Sequence, residues 1–362
     1  MNSVTLSLCN SVTLSLFAEH RMKKPLCTLT MGDPSGIGPE VILKTLFSIR
    51  AKEAADMVVI GFPGPFDRDA GMLDLDIVIK KIDSPRESVF RENIINLIIP
   101  DSRLTVPLQY GVVDARCGKA AALCIELSAK LALSREVDAV VTAPINKESL
   151  NLAGYEYPGH TEFYQSLTGA KDIAMLLTLG DLRVVHVATH TSIRDVPALI
   201  KKKRIVRTVQ LLHDALKRLG MKNPRIAVSG LNPHAGEAGM FGREEIKEII
   251  PALEELKAGG MNISGPISPD TVFPRGLSGE FDGIVAMYHD QGHIALKLAG
   301  FKLGKENRVV EGVNTTLGLP IIRTSVDHGT AFDIAGKGIA SPLSMIEAVE
   351  LAAQMVKSKK RS

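Results

Sequence analysis

Three strand-like segments of this sequence each lead into a histidine that could bind a metal ion. The apolar segments are residues 183–189, 225–230 and 284–287. The histidines that follow them are His190, His234 and His289. Because an open α/β sheet presents its chemistry where strands end, we expect these imidazoles to converge from loops onto one site. Three neutral imidazoles suit zinc or a similar divalent ion, which could polarise an alcohol or a carbonyl.

Two carboxylates could support these histidines. Asp290 follows the third of them directly, and Asp270 lies in a predicted loop over residues 265–270. Either could orient a ligand imidazole, and either could instead be a turn or capping residue. Two further histidines, His186 and His213, fall within a predicted strand and a predicted helix, so we expect both to be structural.

An anionic substrate would need cations and free backbone N–H groups beside the metal. His160 and Thr161 follow a glycine at a predicted helix start, where unpaired N–H groups can hold an anion. Arg323 could bind a carboxylate or a phosphate through two parallel hydrogen bonds, and Lys297 follows the third histidine. Each cation alone would be an ordinary surface charge, but beside a metal they predict a phosphate or carboxylate clamp.

The elements around these residues alternate between strand and helix patterns. A strand over residues 26–30 enters the glycine-rich loop 31–40, which lacks the spacing of a dinucleotide-binding fingerprint. Further strands are predicted over residues 57–60, 76–80, 94–99 and 138–143, and helices over 115–133, 205–219, 243–257 and 341–356. This alternation predicts an α/β protein.

Length and composition narrow the class of function. The 362 residues are enough for two domains, and a net charge of +3 without tryptophan gives no support to a nucleic-acid partner. The basic run 201–204 indicates a solvated helix face, and no apolar stretch is long enough to span a membrane. No Cys-x-x-Cys pair occurs among the cysteines, which indicates reduced structural thiols and a cytoplasmic protein. These are Cys9, Cys27, Cys117 and Cys124.

The first 21 residues contain a near-duplication, NSVTLSL at 2–8 and again at 10–16. Polar residues interrupt its apolar ones and the positive charge comes late, unlike a secretory signal peptide. We expect residues 1–21 to be a start-site artefact or a disordered tail, with Met22 as the natural start.

Several long motifs of this chain resemble the 4-hydroxythreonine-4-phosphate dehydrogenase family of vitamin B6 synthesis, over residues 25 to about 357. They are MGDPSGIGPE (31–40), GHTE (159–162), NPHAGE (232–237), AMYHDQG (286–292) and IRTSVDHGTA (322–331). The resemblance implies an isocitrate/isopropylmalate dehydrogenase-like fold of two α/β/α domains with a cleft between them. The expected domains are residues 22–145 with 300–362 on the nucleotide side, and 146–299 for metal, substrate and dimerisation.

The same resemblance implies an NAD-dependent oxidative decarboxylase that uses zinc, or magnesium, cobalt or manganese, on a phosphorylated small molecule. By motif, the metal ligands are His190, His234 and His289, with the third histidine reaching the site from the partner subunit of a homodimer. The substrate contacts are His160, Thr161, Lys297, Asn314 and Arg323, and the supporting acids are Asp270 and Asp290. The loop 328–342 resembles the nucleotide-binding loop of the wider group, which assigns NAD to His328, Gly329, Ala331 and Asp333.

Some details depart from the biosynthetic enzyme. The segment 303–313 is longer, and residues 157–160, 292–294 and 330–334 look closer to a sister branch that acts on D-threonate or D-erythronate 4-phosphate. The expected substrate is 4-phosphohydroxy-L-threonine, giving 3-amino-2-oxopropyl phosphate, and the alternative is the sugar acid, giving dihydroxyacetone phosphate. Two rivals are an NAD-independent metal aldolase or hydrolase and a non-catalytic metal-binding protein.

Overall fold

The computed structural model describes residues 24–300 and 312–359. The predicted leader 1–21, Met22 and most of the longer segment 303–313 lie outside these ranges. Within them, every strand belongs to one sheet of order β3-β4-β2-β1-β5-β12-β11-β6-β7-β10-β8-β9. The strands are β1 (Leu26–Thr30), β2 (Asp56–Ile60), β3 (Val78–Lys81), β4 (Ile94–Ile98), β5 (Ala139–Thr142), β6 (Ala174–Leu179), β7 (Leu182–Ala188), β8 (Ile226–Ser229), β9 (Ile263–Ile267), β10 (Gly283–Tyr288), β11 (Val313–Leu317) and β12 (Arg323–Val326).

The sheet is parallel except around β11 and β6. Strand β11 is antiparallel to both β12 and β6, and β6 is antiparallel to β7. Strands β7, β10 and β8 run parallel to one another, so their carboxyl ends share one edge. The strands of the two predicted domains occupy separate halves of the continuous sheet, and the domain division itself stays a prediction.

Helices cover the sheet, which explains why β5 and β8 bury every side chain. They are α1 (Gly38–Leu46), α2 (Ile49–Ala54), α3 (Pro63–Met72), α4 (Ala115–Leu133), α5 (Lys147–Leu152), α6 (His160–Thr168), α7 (Val196–Leu199), α8 (Lys202–Arg218), α9 (Ile250–Ala258), α10 (Pro269–Leu277), α11 (His289–Gly300) and α12 (Leu343–Lys359). A π-helical segment, Glu245–Ile249, precedes α9. None of the helices in the described ranges is long and apolar enough to cross a membrane.

Two predicted loops were wrong. Residues 265–270 contain the end of β9 and the start of α10, because Pro269 suits the first turn of a helix and Asp270 is favourable there. His289 was expected in a loop but begins α11, directly after β10. Its neighbours Asp290 and His293 therefore lie on that helix. The prediction of buried free thiols is confirmed at Cys27, Cys117 and Cys124.

Candidate active site

A cavity of about 390 Å³ opens over the middle of the sheet, where strands from both halves meet. Its walls come from the end of β5, the start of α6, and strands β6, β7, β11 and β12. Most of the predicted site side chains line it. These are His160, Thr161, His190, His289, Asn314, Arg323, His328 and Gly329. Lys297, His234, Asp270, Asp290, Ala331 and Asp333 are not among its lining residues.

Two of the three predicted metal ligands come together in this cavity. His190 follows β7 and His289 follows β10, and the parallel pairing of these strands brings the ring centroids to 5.6 Å. Two imidazoles that bind one zinc ion tetrahedrally through Nε2 have centroids about 5 Å apart, so this spacing suits a shared ion. Asp290 Oδ1 lies 2.6 Å from His289 Nδ1, which leaves Nε2 as the nitrogen of His289 that could bind a metal ion.

The remaining predicted ligand, His234, lies elsewhere. Its Nδ1 is 2.6 Å from Glu237 Oε1, and this carboxylate raises the pKa of the imidazole, with a smaller contribution from Asp270. Within residues 24–300 and 312–359, no three His, Cys, Asp or Glu side chains form a group that could hold a metal ion. One chain therefore brings two of the predicted ligands together and keeps His234 apart, with a carboxylate at Nδ1 of both His289 and His234.

A left-handed turn presents His234. The φ angles of His234, Ala235, Gly236, Glu237 and Ala238 are 51°, 54°, 81°, 38° and 55°. Non-glycine residues adopt this region at a cost, and such conformations persist where surrounding contacts impose them. The contact between Glu237 and His234 was not predicted from the sequence, although a carboxylate three residues after a histidine could have indicated it.

Two further histidines extend the pair. His293 stacks on His289 with centroids 3.6 Å apart, and His186 lies 4.8 Å from His293. His186 is fully buried and lines the cavity, and burial lowers its pKa to about 3. A Cβ at Gly292 would come within 2.4 Å of His186 Nε2, so only glycine fits there. The structural role predicted for His186 thus includes forming a wall of the cavity.

A buried guanidinium forms the other end of the cavity. Arg323 is 2% exposed and donates hydrogen bonds to Thr316 Oγ1 at 3.0 Å and Thr142 Oγ1 at 2.6 Å. Burial lowers its pKa to about 10. His160 is also buried, and its burial together with the nearby Arg323 charge lowers the pKa of the imidazole well below its usual value. His160 is therefore neutral.

Several buried polar atoms at this end have no partner within the described chain. They are His160 Nε2, Arg323 Nε and Asn314 Oδ1. Buried polar groups are normally hydrogen-bonded, so these atoms indicate a polar ligand. Thr161 lies in the first turn of α6, with its hydroxyl 3.5 Å from that of Thr316.

Lys297 reaches the site indirectly. Its Nζ lies 2.6 Å from Asp327 Oδ2, and Asp327 lines the cavity. Two further cations, Lys147 and Arg204, line the cavity. Lys147 was not identified from the sequence, and the solvated helix face predicted for the run 201–204 is wrong at Arg204, which is partly buried. Arg204 is held by bonds from Nε to Val187 O and from Nη2 to Ile173 O, which only tertiary structure reveals.

The predicted nucleotide loop packs on the glycine-rich loop. Ile37 N donates to Thr330 O, and a Cβ at Gly36 would come within 2.8 Å of that oxygen. Lys44 Nζ donates to Gly338 O and Ala340 O. The glycine-rich loop 31–40 therefore supports the segment 328–342. The spacing of its glycines did not predict this role.

Residues 53–352 match the family model described as pyridoxal phosphate biosynthetic protein PdxA. The chain belongs to the PdxA family. A protein of Pectobacterium atrosepticum named D-threonate 4-phosphate dehydrogenase is 46% identical over 336 residues, which cover 91% of this chain and 99% of the relative. A protein of the same name from Salmonella typhimurium is 44% identical and covers 92% and 100%.

The PdxA-family fold is shared with a solved structure. The 4-hydroxythreonine-4-phosphate dehydrogenase of Klebsiella pneumoniae superposes with a TM-score of 0.81 at 44% identity, covering 92% of this chain and 98% of that one. The predicted α/β fold and the predicted dehydrogenase class are thereby confirmed.

Proposed function

We propose that this PdxA-family dehydrogenase carries out NAD-dependent oxidative decarboxylation of D-threonate 4-phosphate or its D-erythronate epimer. The C3 alcohol becomes a ketone, the C1 carboxylate leaves as CO₂, and a proton returns to C2 to give dihydroxyacetone phosphate. The observation that carries the proposal is one cavity lined by both the His190–His289 pair and the buried Arg323. It offers a divalent-ion half-site and an anion site at two ends of a small, elongated substrate.

The charge of the cavity supports the sugar acid. Its lining side chains include the cations Lys147, Arg204 and Arg323 and the carboxylates Glu162 and Asp327. Lys297 pairs with Asp327, which leaves the lining with an excess of positive charge. A substrate with a phosphate and a carboxylate matches this excess better than one that adds an ammonium group. The names of the two curated relatives favour the same substrate.

The second candidate substrate is 4-phosphohydroxy-L-threonine, the one first expected from the motifs. The name of the Klebsiella structure favours it. The two substrates differ only in the group at C2 and in configuration, so both fit the same reaction.

The proposed cofactors have identifiable holders. The divalent ion would be bound by His190, by Nε2 of His289 and by His234. NAD would be bound by residues 328–333, where Ile37 N donates to Thr330 O, and Lys44 supports the later part of the same loop at Gly338 and Ala340. A bound divalent ion would supply polarisation of the substrate alcohol, and NAD would supply the hydride acceptor. Arg323, the start of α6 and the neutral His160 hold an anionic end of the substrate and fix C3 beside the histidine pair.

We further propose that His234, the ligand missing from the cavity, is supplied by a second copy of the chain, because it does not line the cavity of its own chain. Large apolar side chains are exposed around these histidines, as expected of a surface that another subunit covers. They are Ile193 at 71%, Met240 at 73%, Phe241 at 48%, Ile294 at 67% and Leu298 at 77% exposure.

A cytoplasmic location stays a prediction.

Subunit mixing tests the shared site. His234→Ala and His289→Ala are each expected to be inactive alone. After the two variants are denatured and refolded together, each heterodimer should have one active site of its two, because that site keeps all three wild-type histidines. Recovery of no activity, with dimers confirmed by scattering, would contradict a shared site.

The substrate is tested by comparing kcat/KM for the sugar acid and the amino acid, with zinc- or magnesium-loaded protein and NAD⁺. We expect NADH formation to favour D-threonate 4-phosphate by at least about tenfold, which corresponds to about 1.4 kcal/mol. A preference for the amino acid would support the second candidate, and no NADH from either would contradict the proposed reaction.

A further inference from the structure

The segment that leads into His234 is organised by one buried carboxylate. Glu245 is 1% exposed. Its Oε1 accepts hydrogen bonds from Leu231 N and Asn232 N, both at 2.8 Å. Its Oε2 accepts a third from Asn232 Nδ2, also at 2.8 Å. A single side chain thus fixes the two residues at which the chain leaves β8 and turns toward His234.

The loop wraps closely around this carboxylate. A Cβ at Gly236 would lie 2.8 Å from Glu245 Oε2, and one at Gly230 would lie 3.3 Å from Oε1. The backbone therefore approaches the carboxylate both before the left-handed turn, at Gly230, and within it, at Gly236. Five successive left-handed residues need such outside contacts to persist.

A second side chain ties the same segment to the cavity. Gln291 Nε2 donates to Gly230 O at 2.9 Å, and its Oε1 accepts from Met287 N at 2.7 Å. Gln291 lies two residues after His289, so its hydrogen bonds connect the start of α11, which carries His289, to the segment that leads into the His234 turn.

We propose that Glu245 is a positioning residue that sets the His234 turn and hence the direction of the His234 imidazole. The inference rests on the proposed role of His234 as a metal ligand. Glu245 is not among the side chains that line the cavity, so it would act through the turn. It begins the π-helical segment Glu245–Ile249, a type of distortion frequently found at functional sites.

The test uses full-length protein with two variants, a matched control and a reference. Glu245→Gln replaces one acceptor oxygen by a donor that faces existing donors. Asn232→Ala keeps the Glu245 carboxylate and removes the bond from Asn232 Nδ2 to Glu245 Oε2, together with the bond from the same nitrogen to Glu244 Oε2. Glu248→Gln, in the same helical segment, changes a carboxylate that binds Lys202 N instead, so it is the control. His234→Ala is the reference.

The readouts are zinc affinity by chelator competition, the visible spectrum of the cobalt(II) protein, and thermal unfolding. Glu245→Gln and Asn232→Ala should weaken zinc binding by about tenfold or more, as loss of a group behind a ligand does, and should alter the cobalt spectrum. Glu248→Gln should match wild type in both metal readouts, even if its unfolding temperature falls.

The outcomes separate the two claims. If His234→Ala weakens zinc binding but folded Glu245→Gln and Asn232→Ala do not, the inference is wrong and the metal assignment stands. If His234→Ala itself binds zinc like wild type, the assignment of His234 is wrong and the inference falls with it. If Glu245→Gln does not fold, Asn232→Ala decides by the same criteria.

Discussion

Replacing Arg323 with methionine is expected to stabilise the ligand-free protein while abolishing its affinity for the substrate. The guanidinium is 2% exposed, and burial lowers its pKa from 12.5 to about 10. The gap between these values corresponds to about 3 kcal/mol that opposes the charged form in the folded state at neutral pH. Methionine keeps most of the alkyl stem and removes the charge.

Two hydrogen bonds offset part of this gain. The bonds from Arg323 to Thr142 and Thr316 contribute about 1 kcal/mol each, and the variant loses both. The expected net effect is a rise of about 1 kcal/mol in the free energy of unfolding. A ligand at a hundred times its Kd stabilises wild type by about 2.7 kcal/mol, and this stabilisation should vanish in the variant.

Urea unfolding with and without D-threonate 4-phosphate measures both effects. Arg103→Met, which removes an exposed ion pair with Asp101, is the control and should stay within about 0.5 kcal/mol of wild type with full ligand stabilisation. Destabilisation of Arg323→Met by more than about 2 kcal/mol, or undiminished ligand stabilisation, would refute the reasoning, because Arg323 would then be a structural group.

Three further predictions concern single side chains. Burial raises the pKa of Asp33 from 3.8 to about 6. Wild type should therefore lose up to about 3 kcal/mol of unfolding free energy from this group as pH rises from 4 to 6, and Asp33→Asn should lack this loss in urea titrations. Equal pH profiles of the two proteins would contradict this prediction. Lys44→Met should raise the NAD KM several-fold, because Gly338 O and Ala340 O lose their donor; an unchanged KM would count against this support. Asp290→Asn should weaken zinc binding about 10- to 100-fold in chelator competition, and unchanged affinity would refute its role.

Parts of the site could be predicted because they depend on local pattern and on the parallel pairing of strands. The helix over residues 115–133 has the bounds of α4, and the segments before His190 and His289 are the parallel strands β7 and β10. Parallel neighbours end at the same edge, so the convergence of these two histidines followed from the sequence.

Other parts depend on contacts between distant segments. The antiparallel insertion of β11 between β12 and β6 has no local signal, and neither does the Lys297–Asp327 ion pair. The start of α11 was missed because His289 and the polar residues after it resemble a loop. The left-handed turn at His234 is imposed by Glu245, which lies eleven residues further along the chain.

The most direct test of the central claim is product stoichiometry in one reaction. Metal-loaded protein is given NAD⁺ and D-threonate 4-phosphate labelled with ¹³C at C1, and NADH and ¹³CO₂ are counted together. The account predicts equal amounts of both, with dihydroxyacetone phosphate as the third product and no turnover after chelation. NADH without CO₂, or cleavage products without NADH, would contradict it.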